Sequence, residues 1–131
     1  MSSLTLPGTI FGLLCKCSPV LLTENSGAVT GTIIAGQRGV VLMTKLDNIE
    51  VLVALEDGRT LWSHHKCLDL DLSNKTGVLH AAWWLEQQSV TITDGAECDA
   101  IDRALAGKSM NEQEVQHLVR ACIRVAAFCV E

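Results

Sequence analysis

Residues 49–65, IEVLVALEDGRTLWSHH, decide the fold class. Two strand-like runs of aliphatic, β-branched and aromatic residues flank Asp57-Gly58. Asp and Gly accept the positive φ of a tight primed turn, so the stretch predicts an antiparallel hairpin. With Asp57-Gly58 as a two-residue turn, Glu56 pairs with Arg59, Leu55 with Thr60 and Val53 with Trp62. Ile49, Val51, Val53, Leu55 and Trp62 then share one face, and Glu50, Glu56, Arg59 and Ser63 share the other. Leu52, Ala54 and Leu61 make that second face only partly polar, which implies that something covers the sheet.

Working outward, GAVTGTIIAGQRGVVLMTK (27–45) reads as two further strands. Gly36 and Gly39 bracket one turn, and Leu46-Asp47-Asn48 makes the next. Residues 28–64 therefore predict a four-strand antiparallel meander, which CLDLDL (67–72) can extend. Downstream the period changes from two to 3.6. TGVLHAAWWLEQQ (76–88) puts Val78, Ala82 and Leu85 on one stripe with Leu79 and Trp83 alongside, although a strand is the alternative there. SVTITDG (89–95) reads as a short strand and turn. AECDAIDRALAG (96–107) spaces Cys98, Ile101 and Leu105 helically and closes on Gly107 as a C-cap. Ser109 and Glu112 form an expected capping box, followed by Val115, Leu118, Val119, Cys122, Ala126 and Cys129 on one wide apolar stripe. Gln116, His117, Arg120 and Arg124 are expected to face away.

The fold class that follows is α+β: an antiparallel sheet of four or five strands in residues 28–72, with helices near 78–88, 96–106 and 110–130. All 131 residues form one domain, mainly β over 28–72 and mainly α over 78–130. The alternative is an SH3-like β-barrel from residues 8–72 with C-terminal helices, in which EDGRTLW is a barrel hairpin.

Composition narrows the function. Hydrophobic residues make up 48% and charged residues 19%, which excludes disorder and leaves apolar surface for a partner or a second copy. The net charge of −5 is spread evenly, −2 over residues 1–72 (five Lys/Arg, seven Asp/Glu) and −3 over 73–131 (five, eight). No basic stripe exists for a phosphate backbone, so no nucleic-acid partner is expected, and the acid is too dilute for a nucleic-acid mimic. The opening, MSSLTLPGTIFGLLCKCSP, lacks a charged start, and Lys16 breaks its apolar part. Neither a signal peptide nor a membrane span is expected. The six cysteines then read as free thiols in a reducing cytoplasm.

SHHKC (63–67) raises the question of a metal. Alternation in a strand places His64 on the Val51/Trp62 face and His65 on the Glu50 face, so one ion cannot take both. His65 and Cys67 share a face, as do Cys15 and Cys17, and a zinc site from Cys15, Cys17, His65 and Cys67 is the alternative reading. Its pairs lack the two-to-four-residue spacing of common structural sites, so no metal and no cofactor are expected. Cys98, Cys122 and Cys129 read as core, while His80 and His117 have no partner in sequence. Asp69 and Asp71 look like a solvated face. No GxSxG elbow, cysteine-protease signature or P-loop is present, so no catalysis is expected.

One resemblance joins these pieces. GLLCKCSPVLLTENSGAVTGTII (12–34) is similar to the opening of type III secretion chaperones: Leu13-Leu14 stand for a helix end, followed by Pro19, Leu21-Leu22, Glu24 and Gly27. GVVLMTK and IEVLVALE look like that family's second and third strands, VLHAAWWLEQQ like its middle helix, and SMNEQEVQHLVRACIRVAAF like its closing helix. Cys17 stands where glycine is frequent and Thr23 where aspartate is usual. Pro7, Gly8 and Gly12 weaken the first helix, and residues 59–77 fit least. The resemblance implies a cytoplasmic protein-binding chaperone that holds a secreted effector against Leu21, Leu22, Ile33, Val41 and Met43. An SH3-like regulatory module would instead grip a peptide beside an exposed Trp62. A homodimer is expected in either case. A helix turns adjacent Trp83 and Trp84 about 100° apart, so one of them must reach outward as an interface anchor.

Overall fold

The computed structural model describes residues 4–10, 12–23, 26–28, 31–33, 35–45, 49–88 and 90–129. The fold is α+β, with eight strands followed by three helices among the described residues. The strands are β1 (Thr5–Pro7), β2 (Pro19–Leu22), β3 (Ser26–Ala28), β4 (Gly31–Ile33), β5 (Arg38–Thr44), β6 (Glu50–Leu55), β7 (Thr60–His64) and β8 (Leu68–Asp71). The helices are α1 (Lys75–Gln87), α2 (Gly95–Leu105) and α3 (Glu112–Cys129). Six strands form one antiparallel sheet in the order β1-β8-β2-β5-β6-β7, and β3 with β4 makes a separate ribbon.

The expected hairpin exists, but its register differs by one. Leu55 N–H donates to the Arg59 carbonyl at 2.7 Å, and Gly58 N–H donates to the Leu55 carbonyl at 3.0 Å. The loop is therefore three residues, Glu56-Asp57-Gly58, with Gly58 in the left-handed region at φ 91°. Asp57 braces it by accepting from the Arg59 backbone (3.0 Å) and guanidinium (2.8 Å), which holds its carboxyl down at about 2. Ala54 now faces Thr60, Val53 faces Leu61 and Leu52 faces Trp62. A one-residue slip moves every side chain of β7 to the other face. Leu61 and Ser63 therefore join Val51, Val53 and Leu55 inside, and Trp62 turns outward, 47% exposed. The expected placement of Trp62 beside Val53, and of Ile49 on the same inner face, is corrected.

The sheet has six strands rather than four or five, and two lie outside residues 28–72. The four-strand meander is three strands, β5-β6-β7, because Ser26–Ala28 and Gly31–Ile33 pair with each other in the β3–β4 ribbon. β8 extends the sheet from the far side, pairing with β1 and β2 rather than with β7. The connection between β7 and β8 is a 3-10 turn at His65–Cys67. In a flat sheet, β7 and β8 would stand four spacings apart, about 19 Å. The chain from His64 to Leu68 reaches at most about 14 Å even when extended. The sheet must therefore curl strongly on itself, as in the small-barrel alternative. Its concave face encloses Leu6, Val20, Leu22, Val41, Val51, Val53, Leu61, Leu68 and Leu70.

The helices pack on the β1-β8-β2 side. Asn74 caps α1 and Asp94 caps α2 through backbone N–H groups two and three residues on. α1 starts three residues before its expected start and buries one broad face, with Val78, Ala82 and Leu85 inside as the spacing indicates. A Cβ at Gly77 would collide with the Asp71 carbonyl oxygen, so glycine is what lets α1 lie against β8. The capping box of α3 is shifted by two: Asn111 Oδ1 accepts from Glu114 N–H at 2.8 Å, and Glu114 Oε1 accepts from Asn111 N–H at 3.1 Å. Ser109-Glu112 is not the box, because Asn111-Glu112-Gln113-Glu114 offers the same chemistry closer to the apolar stripe. On α2 the deepest residues are Glu97, Ala100 and Ala104, one position off the expected Cys98-Ile101-Leu105 stripe, which is only half-buried. Arg124 is exposed, as expected of the polar face, but its guanidinium reaches across to α2. It forks onto buried Glu97, with one N–H···O bond of 3.0 Å and a second, shorter one. The helix implied by the chaperone resemblance around Leu13-Leu14 is absent, and residues 12–18 are irregular with a turn.

Candidate functional site

The outer face of β5-β6-β7 carries exposed apolar side chains that the register brings together. Met43 pairs with Leu52, and Leu52 with Trp62, so these three stand in one row across the sheet. Val40 pairs with Ala54, and Ala54 with Thr60, giving a second row beside it. A bulge between Val41 and Met43 inserts Leu42 as an extra residue. It turns both Leu42 and Met43 outward while Val41 stays inside, and Val40, Leu42, Met43 and Trp62 are all exposed.

Charge frames this strip at both ends. Lys45 pairs with Glu50 at 2.6 Å and sits 5.2 Å over the Trp62 ring, where ammonium and π-face attract. At the other end lie Arg38, Glu56, Asp57 and Arg59. Val40 and Ala54 also line an open groove of about 480 Å³ that runs to Pro19 and to Asp71 on β8. Asp71 is not on a solvated face as expected. It is buried, accepts from Ser73 N–H and Oγ (3.0 and 2.6 Å) and lies 3.7 Å from Arg38. Asp69 is half-buried and accepts from Thr5 Oγ1 at 3.1 Å, and desolvation pushes its carboxyl up. β7 is an edge of the sheet.

The expected contact residues divide. Met43 and Trp62 lie on this face, and Leu21 is half-buried on β2. Leu22 and Val41 point into the curled core, each under 3% exposed, so their place in a partner surface is corrected. Strand alternation explains it: Leu22 and Val41 belong to the inner set with Val20 and Val53. The backbone of Ile33 lies in β4, and its side chain is outside the described residues. Of the two tryptophans on α1, Trp84 is core at 4% and Trp83 is exposed at 46%.

No family model, curated protein or solved structure matches the chain.

Cys15, Cys17, His65 and Cys67 do not assemble. Among the described residues no group of three His, Cys, Asp or Glu side chains is placed to hold a metal ion. Cys15 and Cys17 are exposed, and His65 and Cys67 stand in the 3-10 turn. His64 is exposed on the outer face with Trp62, edge-on to His65 at 4.8 Å between ring centroids, rather than beside Val51. Sequence reasoning missed a different cluster, Cys15 with Ser18 and His80. Residues 62 to 65 positions apart give no spacing signal. A buried histidine on an apolar helix was the one available hint. No helix among the described residues is long and apolar enough to cross a membrane.

Proposed function

We propose that the protein is a non-catalytic protein-binding module that holds an extended peptide segment of its partner across the outer face of β5-β6-β7. The carrying observation is the in-register row Met43-Leu52-Trp62, apolar, open to solvent and framed by charge. Buried-centre, charged-rim surfaces of this kind are how partners are gripped, and tryptophan is the residue type most enriched at their energetic centres. The sheet edge at β7 adds backbone groups that an extended strand can pair with, while Trp62 reads its alternate side chains.

Of the two partner classes that the sequence raises, the short peptide of an SH3-like regulatory module is better supported than the long secreted effector of a chaperone. The chaperone reading leans on a first helix that residues 12–18 do not form and on contacts by Leu22 and Val41, which are core. A cytoplasmic setting belongs to the same proposal, supported by the free thiols of Cys15, Cys17, Cys67, Cys98 and Cys122. So does a homodimer, for which the outward Trp83 is the anchor.

The test is affinity capture from native lysate with the wild-type chain and a folded Trp62→Ala variant side by side. One or a few proteins retained by the wild type and lost by Trp62→Ala, with a short segment of the partner sufficient for binding, is the expected result. Capture that Trp62→Ala leaves unchanged contradicts the assignment. A partner that needs its first hundred or so residues wrapped around the whole chain would favour the chaperone.

A further inference from the structure

Residues 15–18, Cys-Lys-Cys-Ser, form a turn closed by Ser18 N–H donating to the Cys15 carbonyl at 2.9 Å. Its third residue, Cys17, sits at φ 75°, a left-handed conformation that side chains other than Gly, Asn and Asp disfavour. Strain of this kind collects where a neighbouring side chain must be aimed. What the turn aims is Ser18 and Cys15. The Ser18 hydroxyl is fully buried and accepts from Cys15 N–H at 3.0 Å. It lies 2.8 Å from His80 Nδ1, and the Cys15 sulfur lies 3.5 Å from both the hydroxyl and that nitrogen.

The helix side of the contact is equally fixed. Gly77 lets α1 approach β8 and Pro19, and His80, one turn on, comes down over Ser18. Trp83 stacks on the imidazole, 5.3 Å between centroids and 23° from parallel. The Ser18 oxygen accepts from the Cys15 backbone and keeps its own hydrogen to give, and in the tautomer with Nε2 protonated His80 Nδ1 takes that hydrogen. Burial pushes the imidazole below its ordinary value of 6.5, so the ring is neutral at neutral pH. Cys15 itself is exposed. A solvent-accessible thiol is thus held against a buried, oriented base, the arrangement that activates a sulfur nucleophile.

We propose that Cys15 is a nucleophilic thiol, with His80 as its proton acceptor and Ser18 as a positioning residue, and that it undergoes thiol–disulfide exchange with small organic disulfides. The Cys15 proton passes to His80 Nδ1 through the Ser18 hydroxyl, which takes the thiol proton as it gives up its own. The thiolate attacks one sulfur of the disulfide, forming a Cys15–S–S–R bond as the incoming S–S bond breaks. The departing thiolate takes the proton back from His80. One disulfide is consumed, one mixed disulfide and one thiol are produced, and the exchange is reversed by excess small thiol. The site is separate from the Trp62 face, and neither depends on the other.

Cys17 is the internal reference, since it is an exposed thiol in the same turn. The full chain is exposed to a sub-stoichiometric aromatic disulfide, and adducts at each cysteine are timed by peptide mass spectrometry. Cys15 is expected to react about tenfold or more faster than Cys17, as assistance by a positioned base predicts. In folded His80→Asn the Cys15 rate should fall to that of Cys17. General loosening of the turn would instead raise both rates together. Equal rates at Cys15 and Cys17 in the wild type overturn the proposal, as does an undiminished Cys15 rate in folded His80→Asn. Should His80→Asn fail to fold, Ser18→Ala replaces it: loss of the Cys15 preference supports the proposal, and its retention overturns it.

Discussion

Leu61 and Trp62 are chain neighbours with opposite fates, one in the core and one in water, and the difference is a single residue of loop length. Truncating Leu61 removes buried contacts and leaves a cavity, so Leu61→Ala should cost about 2–4 kcal/mol in urea denaturation. Trp62→Ala should stay within about 1 kcal/mol, since its ring is half in solvent. The reverse order would restore the two-residue turn. Both faces of this hairpin are apolar, which is why the register was not legible in the sequence: the usual arbiter, polar residues on the outside, was missing. At His80 the linkage is explicit. Burial depresses its pKa, so the unfolded chain binds the proton more tightly than the folded one. The stability is fully present above pH 6.5 and is lost as pH falls from there through the depressed folded value. Unfolding free energy measured between pH 7 and 5 should decline, and the part of that slope due to His80 should be missing in His80→Asn.

Among the elements, the three helices were legible because their apolar period is long enough to count, and their ends drifted because several capping residues compete. Asn111, not Ser109, caps α3. Asn111→Ala should lower stability by about 1 kcal/mol, while Ser109→Ala should change it by less than about 0.5 kcal/mol, as thermal unfolding of the two variants will tell. Gly77 costs α1 some helix propensity and is retained for a close approach that no pattern announces. Gly77→Ala should destabilise by about 1–3 kcal/mol, because the clash is with the Asp71 backbone rather than with a side chain that can swing away. β1 and β2 escaped sequence reading for another reason. TLP and PVLL are three and four residues long, and their pairing with β8 spans some fifty residues or more, a distance at which no local signal survives.

The whole molecule is a curled sheet with a helical cover on one side and an apolar face left open on the other. The fold class was readable from the hairpin and the change of period. The curl follows only once β8 is seen to pair with β2 across a three-residue connector. The Met43-Leu52-Trp62 row was hidden behind the register, although Met43 and Trp62 were individually named. The homodimer should appear in light scattering at tens of micromolar and dissociate in Trp83→Ala; a monomer at that concentration removes it from the proposal. The central claim is that a partner segment lies on the outer face of β5-β6-β7, and its most direct test is amide chemical-shift mapping of the labelled chain with the minimal binding segment of its partner. Shifts concentrated at Val40, Leu42, Met43, Leu52 and residues 60–64, absent in Trp62→Ala, are predicted. Shifts confined to α1–α3, or spread evenly over the chain, would contradict the account.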